Sequence, residues 1–503
     1  MPQRPRTTSC AAKSVTASSS GRSSRGSDVT GPRLAILDDV PADLQQGLAN
    51  LRTALLVPDA FPSDVLAAAD VAAANPTLPS ANHSDLPFWT IDPPGSMDLD
   101  QAMYLTKDDA GYLVRYAIAD VAAFVAAGGP IDLEAHRRGE TFYAPNARTP
   151  LHPPTLSEGA TSLLPGQVRP ALVWELRLDT SGALVETHVA RGLVRSIRRT
   201  DYETEHARLN AGTADSQIGL LAEIGRLREA QEIARGGVSL NVPEQQVDAH
   251  GDDWRLSYRA TLPIEDWNAQ ISLLTGMAAA KLMLDGGIGL LRTLPPAQPQ
   301  SIARLRRVSQ GLGLSWPAAV TYPEFVRSLD PAVPKEAAML NCCTLLFRGA
   351  GYAAFQGAPP AQPLHAAIAA PYAHVTAPLR RLVDRYAGEI CVALCARTSV
   401  PEWVLAALST LPAEMDAADH RAKKYDRGIV DLVEALVLKD RVGQSFPATV
   451  IELDPQRGGG IIQLGQPAIE ARVADHHLVL GASVQVVLQH ADVLTGAVQF
   501  DVV

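Results

Sequence analysis

Residues 112–118 read Tyr-Leu-Val-Arg-Tyr-Ala-Ile, and residues 171–178 read Ala-Leu-Val-Trp-Glu-Leu-Arg-Leu. Their alternating or continuous apolar texture, with Gly and Asp turns between them, predicts strands. Further along, the period changes. Residues 265–284, 302–311, 383–395 and 415–438 carry apolar side chains three to four apart and predict helices. Strands followed by helices are the pattern of an α+β domain, here bounded at residues 86 and 440.

On the N-terminal side, residues 41–55 (PADLQQGLANLRTAL) and the alanine-rich 63–74 (SDVLAAADVAAA) predict two helices. They make residues 31–85 a short helical region, with a hairpin or helix-turn-helix as its expected form. Residues 1–30 are basic and serine-rich, with too little apolar surface to offset their ordering entropy, so a disordered tail is expected there. On the C-terminal side, short strand-like runs at 446–453, 460–464, 470–473 and 483–488 are separated by Gly, Pro and Asp. Such runs within residues 445–503 predict a small five-stranded OB-type barrel, a common platform for single-stranded nucleic acid.

The 503 residues are 47% hydrophobic, enough for a large core with satellite domains. No run of about 18 apolar residues is present, so no membrane association is expected. The tail has no apolar block of the kind a signal peptide needs. The five cysteines form no zinc pattern and suit buried free thiols in a reducing cytoplasm, the expected location. A net charge of −10 excludes a uniformly basic surface. It does not exclude RNA, because a local groove of Lys and Arg is what phosphates require.

The sharpest chemical feature is TIDPPGSMDLDQ at 90–101, which sets Asp92, Asp98 and Asp100 at D-x5-D-x-D spacing. Carboxylates this close repel one another unless a hard cation sits among them, and magnesium takes oxygen ligands. On spacing alone, a metal-binding turn and a solvated polar turn both remain open. At 372–381 (YAHVTAPLRR), Arg380 and Arg381 open a predicted helix, where they either grip phosphate or form surface ion pairs. His374 is a candidate base or RNA contact, or else a hydrogen-bonded structural histidine. Tyr143, in GETFYAP at 139–145, either stacks on a base or belongs to the core. Arg191, Arg195, Arg198 and Arg199 lie within nine residues, and in a strand Arg191, Arg195 and Arg199 share a face that can follow a phosphate backbone.

Taken in order, TIDPPGSMDLDQA, YAIADVAAFVAAGGPIDLEAHRRGETFYAP, LHPPTLSEGATSLLPGQVRPALVWELRLD, ARGLVRSIRRTDYE and HVTAPLRRLVDRY resemble the ribonuclease II/ribonuclease R family and its RNB catalytic domain. The resemblance spans roughly residues 87–440 and implies an RNB domain followed by an OB-fold RNA-binding barrel. It also implies a monomeric, processive 3′-to-5′ hydrolytic exoribonuclease acting on single-stranded RNA with Mg2+. By motif, Asp92, Asp98 and Asp100 match the metal-binding and catalytic carboxylates, with Asp100 the most critical. Arg380 matches the arginine at the scissile phosphate, with Arg381 beside it, and Tyr143 matches the aromatic stacked on the 3′-terminal bases.

Two departures from the family pattern stand out. Gln101 occupies the place of a fourth aspartate, and its carbonyl is expected to serve as a neutral metal ligand. Paired cold-shock barrels before the catalytic domain are absent from the sequence, with only the short helical region in their place. Gln101 motivates the alternative expectation of a catalytically weakened or silent RNB protein acting by RNA binding.

Overall fold

The computed structural model describes residues 40–503, apart from 241–243, 251, 252, 260, 332, 455–457, 466, 468 and 476; the tail expected over 1–30 lies outside the described residues. Helices α1 (Ala42–Ala54) and α2 (Ser63–Ala74) come first. Strands β1 (Phe88–Ile91), β2 (Gln101–Asp108) and β3 (Gly111–Ala119) follow. Next are α3 (Pro130–Arg138) and a small hairpin of β4 (Phe142–Ala144) and β5 (Ala147–Thr149), then the long β6 (Val168–Leu178) and β7 (Leu184–Thr200).

Five strands close into a barrel in the order β1-β2-β3-β6-β7. All neighbours are antiparallel except β1 and β7, which run parallel. The two predicted strands are partners, with Tyr112 opposite Leu178 and Tyr116 opposite Trp174. Alternation along β3 sends Tyr112, Val114, Tyr116 and Ile118 into one core and Ala117 and Ala119 into another. Burial on both faces explains why these runs read as almost continuously apolar. The predicted helices form as Pro263–Gly286, Pro299–Gly311, Leu382–Ala396 and Leu411–Leu438. The first and third bury Ile264, Ile271, Leu274, Val383, Tyr386 and Ile390 in the larger of the barrel's two cores.

The C-terminal strands pair antiparallel in the order Ile469–Val473, Gly460–Leu464, Ser445–Leu453, Ser483–Asp492, Ala497–Val502, a barrel-like sheet as the sequence predicts. Their core (Val450, Ile462, Leu464, Val486, Leu488, Phe500) is continuous with Ile429, Leu432, Val433 and Leu436 of the Leu411–Leu438 helix.

The helical region departs from expectation. Leu44 and Leu48 of α1 join this C-terminal core, whereas Val65 and Ala69 of α2 join the closed barrel's second core. Burial in separate cores rules out an independent hairpin or helix-turn-helix. Gly47 permits the close approach of α1, since a Cβ there would lie 2.7 Å from the Val493 carbonyl oxygen. Among the described residues no helix is long and apolar enough to cross a membrane. Cys343 and Cys391 are buried free thiols, and Cys342 and Cys395 are half-buried ones.

Candidate active site

Three segments far apart in sequence meet at the start of β2. The aspartate loop leaves β1 at Ile91, and the Asp92 N–H donates to the Thr200 carbonyl at 3.2 Å, closing the loop on the end of β7. Gly95, at φ +81°, makes a turn that a side chain would strain. Ser162 then staples the far side: its hydroxyl donates to the Met97 carbonyl (2.6 Å) and accepts from the Leu99 N–H (2.9 Å). Asp100 follows, 6% exposed, and accepts the Leu379 N–H at 2.8 Å. The Nε of Arg380 lies 3.7 Å from its other oxygen.

The arginine loop is itself fixed. Asp384, in the first turn of the Leu382–Ala396 helix, accepts the Ala377 N–H at 2.7 Å, and Arg381 grips both Asp384 oxygens at 2.9 Å. A third segment pairs with this loop. The Thr141 N–H donates to the Arg380 carbonyl, and the Leu382 N–H to the Gly139 carbonyl, both at 3.0 Å. Gly139 needs its left-handed φ of +74° there, and a Cβ would come within 2.4 Å of the Ala418 side chain. From this pairing the chain runs directly into β4, which carries half-buried Tyr143 opposite Arg148 of β5.

Burial and like charge set the electrostatics. Desolvation raises Asp92 well above the ordinary carboxylate range, and the nearby charges of Asp98 and Asp100 push it further. Desolvation also lifts Asp100 to about 8, although Arg380 and the Leu379 N–H oppose the shift. Asp98 is differently placed. It ion-pairs with Nη1 of Arg148 at 2.5 Å, and Nη2 of Arg148 is held by Glu158. Among the described residues no three Asp, Glu, His or Cys side chains converge closely enough to hold a metal ion.

Several expected site residues take other roles. Gln101 is not poised as a metal ligand: its amide donates to the Thr376 carbonyl (2.7 Å) and its oxygen accepts from the Tyr116 hydroxyl (2.5 Å). Arg381 is spent on Asp384 rather than facing RNA. His374, 1% exposed, bonds the Tyr352 hydroxyl at 2.8 Å between the rings of Tyr352 and Tyr372, so it is a buried structural residue. The arginine row of β7 is broken because the register with β1 shifts between Phe88 and Trp89. Arg191 pairs with Asp120 and Glu389, and Arg198 with Asp215 over the Trp89 ring. Arg199 donates to the Ser96 carbonyl of the aspartate loop at 2.6 Å, while Arg195 is exposed. Sequence reasoning missed Arg148, Glu158 and Ser162, which reach the aspartate loop from 50 or more residues away in the chain or hold a residue that does, and Asp384, whose partners Arg381 and Ala377 are close in sequence.

The sequence matches the family model for the RNB domain over residues 81–394. The chain belongs to the ribonuclease II/R family. In this RNB protein, residues 444–503 match the RNase II-type exonuclease C-terminal S1 domain, which accounts for the second barrel. Ribonuclease R of Mycoplasma genitalium is 26% identical over 323 residues, 60% of this chain and 43% of that protein. The chain spans 36–66% of the length of the curated relatives it matches. In fold it is similar to the solved structure of Mycoplasma genitalium RNase R in complex with ribose-methylated single-stranded RNA, with a TM-score of 0.80, 18% identity, and 92% and 78% of the two chains covered. It also resembles yeast Ssd1, a pseudonuclease, with a TM-score of 0.67, 18% identity, and 89% and 57% covered.

Proposed function

We propose that this chain is a 3′-to-5′ exoribonuclease that hydrolyses single-stranded RNA to nucleoside 5′-monophosphates. The observation that carries the proposal is the convergence of Asp100 and Arg380 at one buried point, inside a domain of the ribonuclease II/R family. A lone buried carboxylate beside an arginine is a common ion pair. Here Asp92 adds a second carboxylate, and the segment that leads into the hairpin of Tyr143 is hydrogen-bonded to the loop of Arg380.

RNB-family nucleases are generally dependent on a divalent metal. The donor chemistry of this chain suits a hard cation. Asp92 and Asp100 offer only oxygen ligands, and the burial and repulsion that raise both would be relieved by a divalent charge. These two residues would hold magnesium, which when bound supplies Lewis acidity toward the phosphodiester. Arg380 presents its guanidinium to the scissile phosphate and stabilises charge developing on the non-bridging oxygens. Tyr143 stacks on a terminal base and fixes the register of the strand. Arg199, at the end of β7, contributes positive charge beside the loop.

Digestion of a 5′-labelled single-stranded RNA with magnesium tests this reading. Stepwise shortening by wild type, absent in Asp100→Asn, is the expected result. The contrary reading, an RNA-binding protein without cleavage, is favoured by the neutral Gln101 and by the capture of Asp98 by Arg148. Wild type that binds RNA and leaves it intact would establish it.

A further inference from the structure

Asp98 stands in a stretch of backbone that is held on both sides. Ser162 bonds the Met97 carbonyl and the Leu99 N–H, and the Leu163 N–H donates to the Leu99 carbonyl at 3.0 Å. Any change at Asp98 is therefore a rotation of its side chain. That side chain now lies against Arg148, whose own exposure is 11%. The guanidinium has two separate anchors, Asp98 on Nη1 and Glu158 on Nη2. Arg148 also sits directly opposite Tyr143 in the hairpin register, so both side chains leave the same face of the ribbon. A guanidinium fork matches a phosphate as well as it matches a carboxylate.

We propose that Arg148 is a phosphate-responsive latch on Asp98, a positioning residue that admits Asp98 to the metal site only when RNA is present. The proposal rests on the reading of the site as an RNA-cleaving one. A nucleotide whose base stacks on Tyr143 brings its phosphate beside Arg148. The guanidinium pivots about Glu158 and exchanges Asp98 for a phosphate oxygen. Asp98, freed by rotation alone, turns toward Asp92 and Asp100. This accounts for the absence, among the described residues, of three converging carboxylates in a loop that contains three aspartates. Metal and RNA then bind cooperatively, and by linkage each tightens the other by the same factor.

The test is Mn2+ affinity, measured by electron paramagnetic resonance on the full chain, with and without a 2′-O-methyl single-stranded oligonucleotide. RNA should tighten Mn2+ binding to wild type by about tenfold or more. Arg148→Gln should bind Mn2+ that tightly with no RNA, and RNA should add little. Adding Asp98→Asn to Arg148→Gln should erase the gain. Arg148→Lys keeps the charge but loses the fork, and should give a smaller gain of the same sign; it serves if the glutamine variant does not fold. Equal RNA-free Mn2+ affinity in wild type and both Arg148 variants overturns the latch, as does a gain that survives Asp98→Asn. An oligonucleotide that fails to bind at all, followed by fluorescence anisotropy, counts against the nuclease reading instead, and leaves the RNA-free comparison to judge Arg148.

Discussion

The chain contains two five-stranded barrel-like sheets, and their polar groups are distributed in opposite ways. In the closed barrel, buried charge collects where strands end: Asp100 at the start of β2, Asp120 after β3 and Glu205 just beyond β7 are all at most 6% exposed. In the C-terminal sheet the core is Val450, Ile462, Leu464, Ile469, Val486, Leu488 and Phe500, and the ion pairs Arg472–Asp454 and Arg304–Glu452 lie towards the surface. The two aromatics of that sheet, Phe446 and Phe500, are both buried against each other. Strand number therefore does not make a reactive site. The loops folded over a barrel's rim do, while a barrel without such loops offers only a surface.

Substitutions can break this contrast, starting with the largest effect. Asp100→Asn should lower RNA hydrolysis by roughly 10²–10⁴-fold while RNA binding by anisotropy persists; equal losses of both would mean that the rim carboxylate holds structure rather than chemistry. Arg381→Ala leaves Asp384 buried without its partner, and breaking a buried pair costs about 3–5 kcal/mol, to be read as a lower midpoint in urea. Ile462→Ala, in the second barrel, should cost about 2–5 kcal/mol. Below its unfolding midpoint that variant should still cleave a short RNA at the wild-type rate, and a slower rate would show that the two barrels do not divide their labour. Tyr143→Ala should weaken binding of the RNA 3′ end by about 1–3 kcal/mol per stacked base, seen as a longer limit product.

The remaining effect concerns pH. The Asp100 carboxyl is raised from 3.8 to about 8 in the folded protein. A carboxyl raised on folding stabilises while it keeps its proton. Its contribution is fully present below pH 3.8 and is lost as pH rises through about 8. Without divalent cations, wild-type stability should fall across that window by at most roughly 1.4 kcal/mol per pH unit for this group. Asp100→Asn should flatten the fall, and parallel curves for the two proteins would remove the case for a strained carboxylate.

The architecture was legible because it rests on local period: residues 112–118 and 171–178 became paired strands, and the four long apolar helices formed close to their expected limits. The motifs singled out Asp100, Arg380 and Tyr143, and the structure ties the three segments that carry them together. What was hidden is pairing over distance. Whether Gln101 faces an ion or Thr376 depends on segments 275 residues apart, and whether Asp98 faces an ion or Arg148 depends on the β4–β5 hairpin. The β7 arginines misled for a different reason. One shift in strand register breaks the face-sharing that a two-residue period assumes, and partners on neighbouring elements had already claimed Arg191 and Arg198.

The Leu411–Leu438 helix also bears on where this protein can be cut. Residues 81–394 carry the RNB match, yet Tyr425 of that helix packs edge-on against Phe142, one residue from Tyr143, with ring centroids 6.3 Å apart. The next turns of the same helix supply Ile429, Leu432, Val433 and Leu436 to the C-terminal core. A fragment trimmed to residue 394 would bare Phe142, and a C-terminal fragment beginning at 444 would lose the floor of its own barrel. The smallest piece that keeps both surfaces covered contains the helix and both of its neighbours, so the boundary between two recognisable modules is not a seam along which the molecule comes apart.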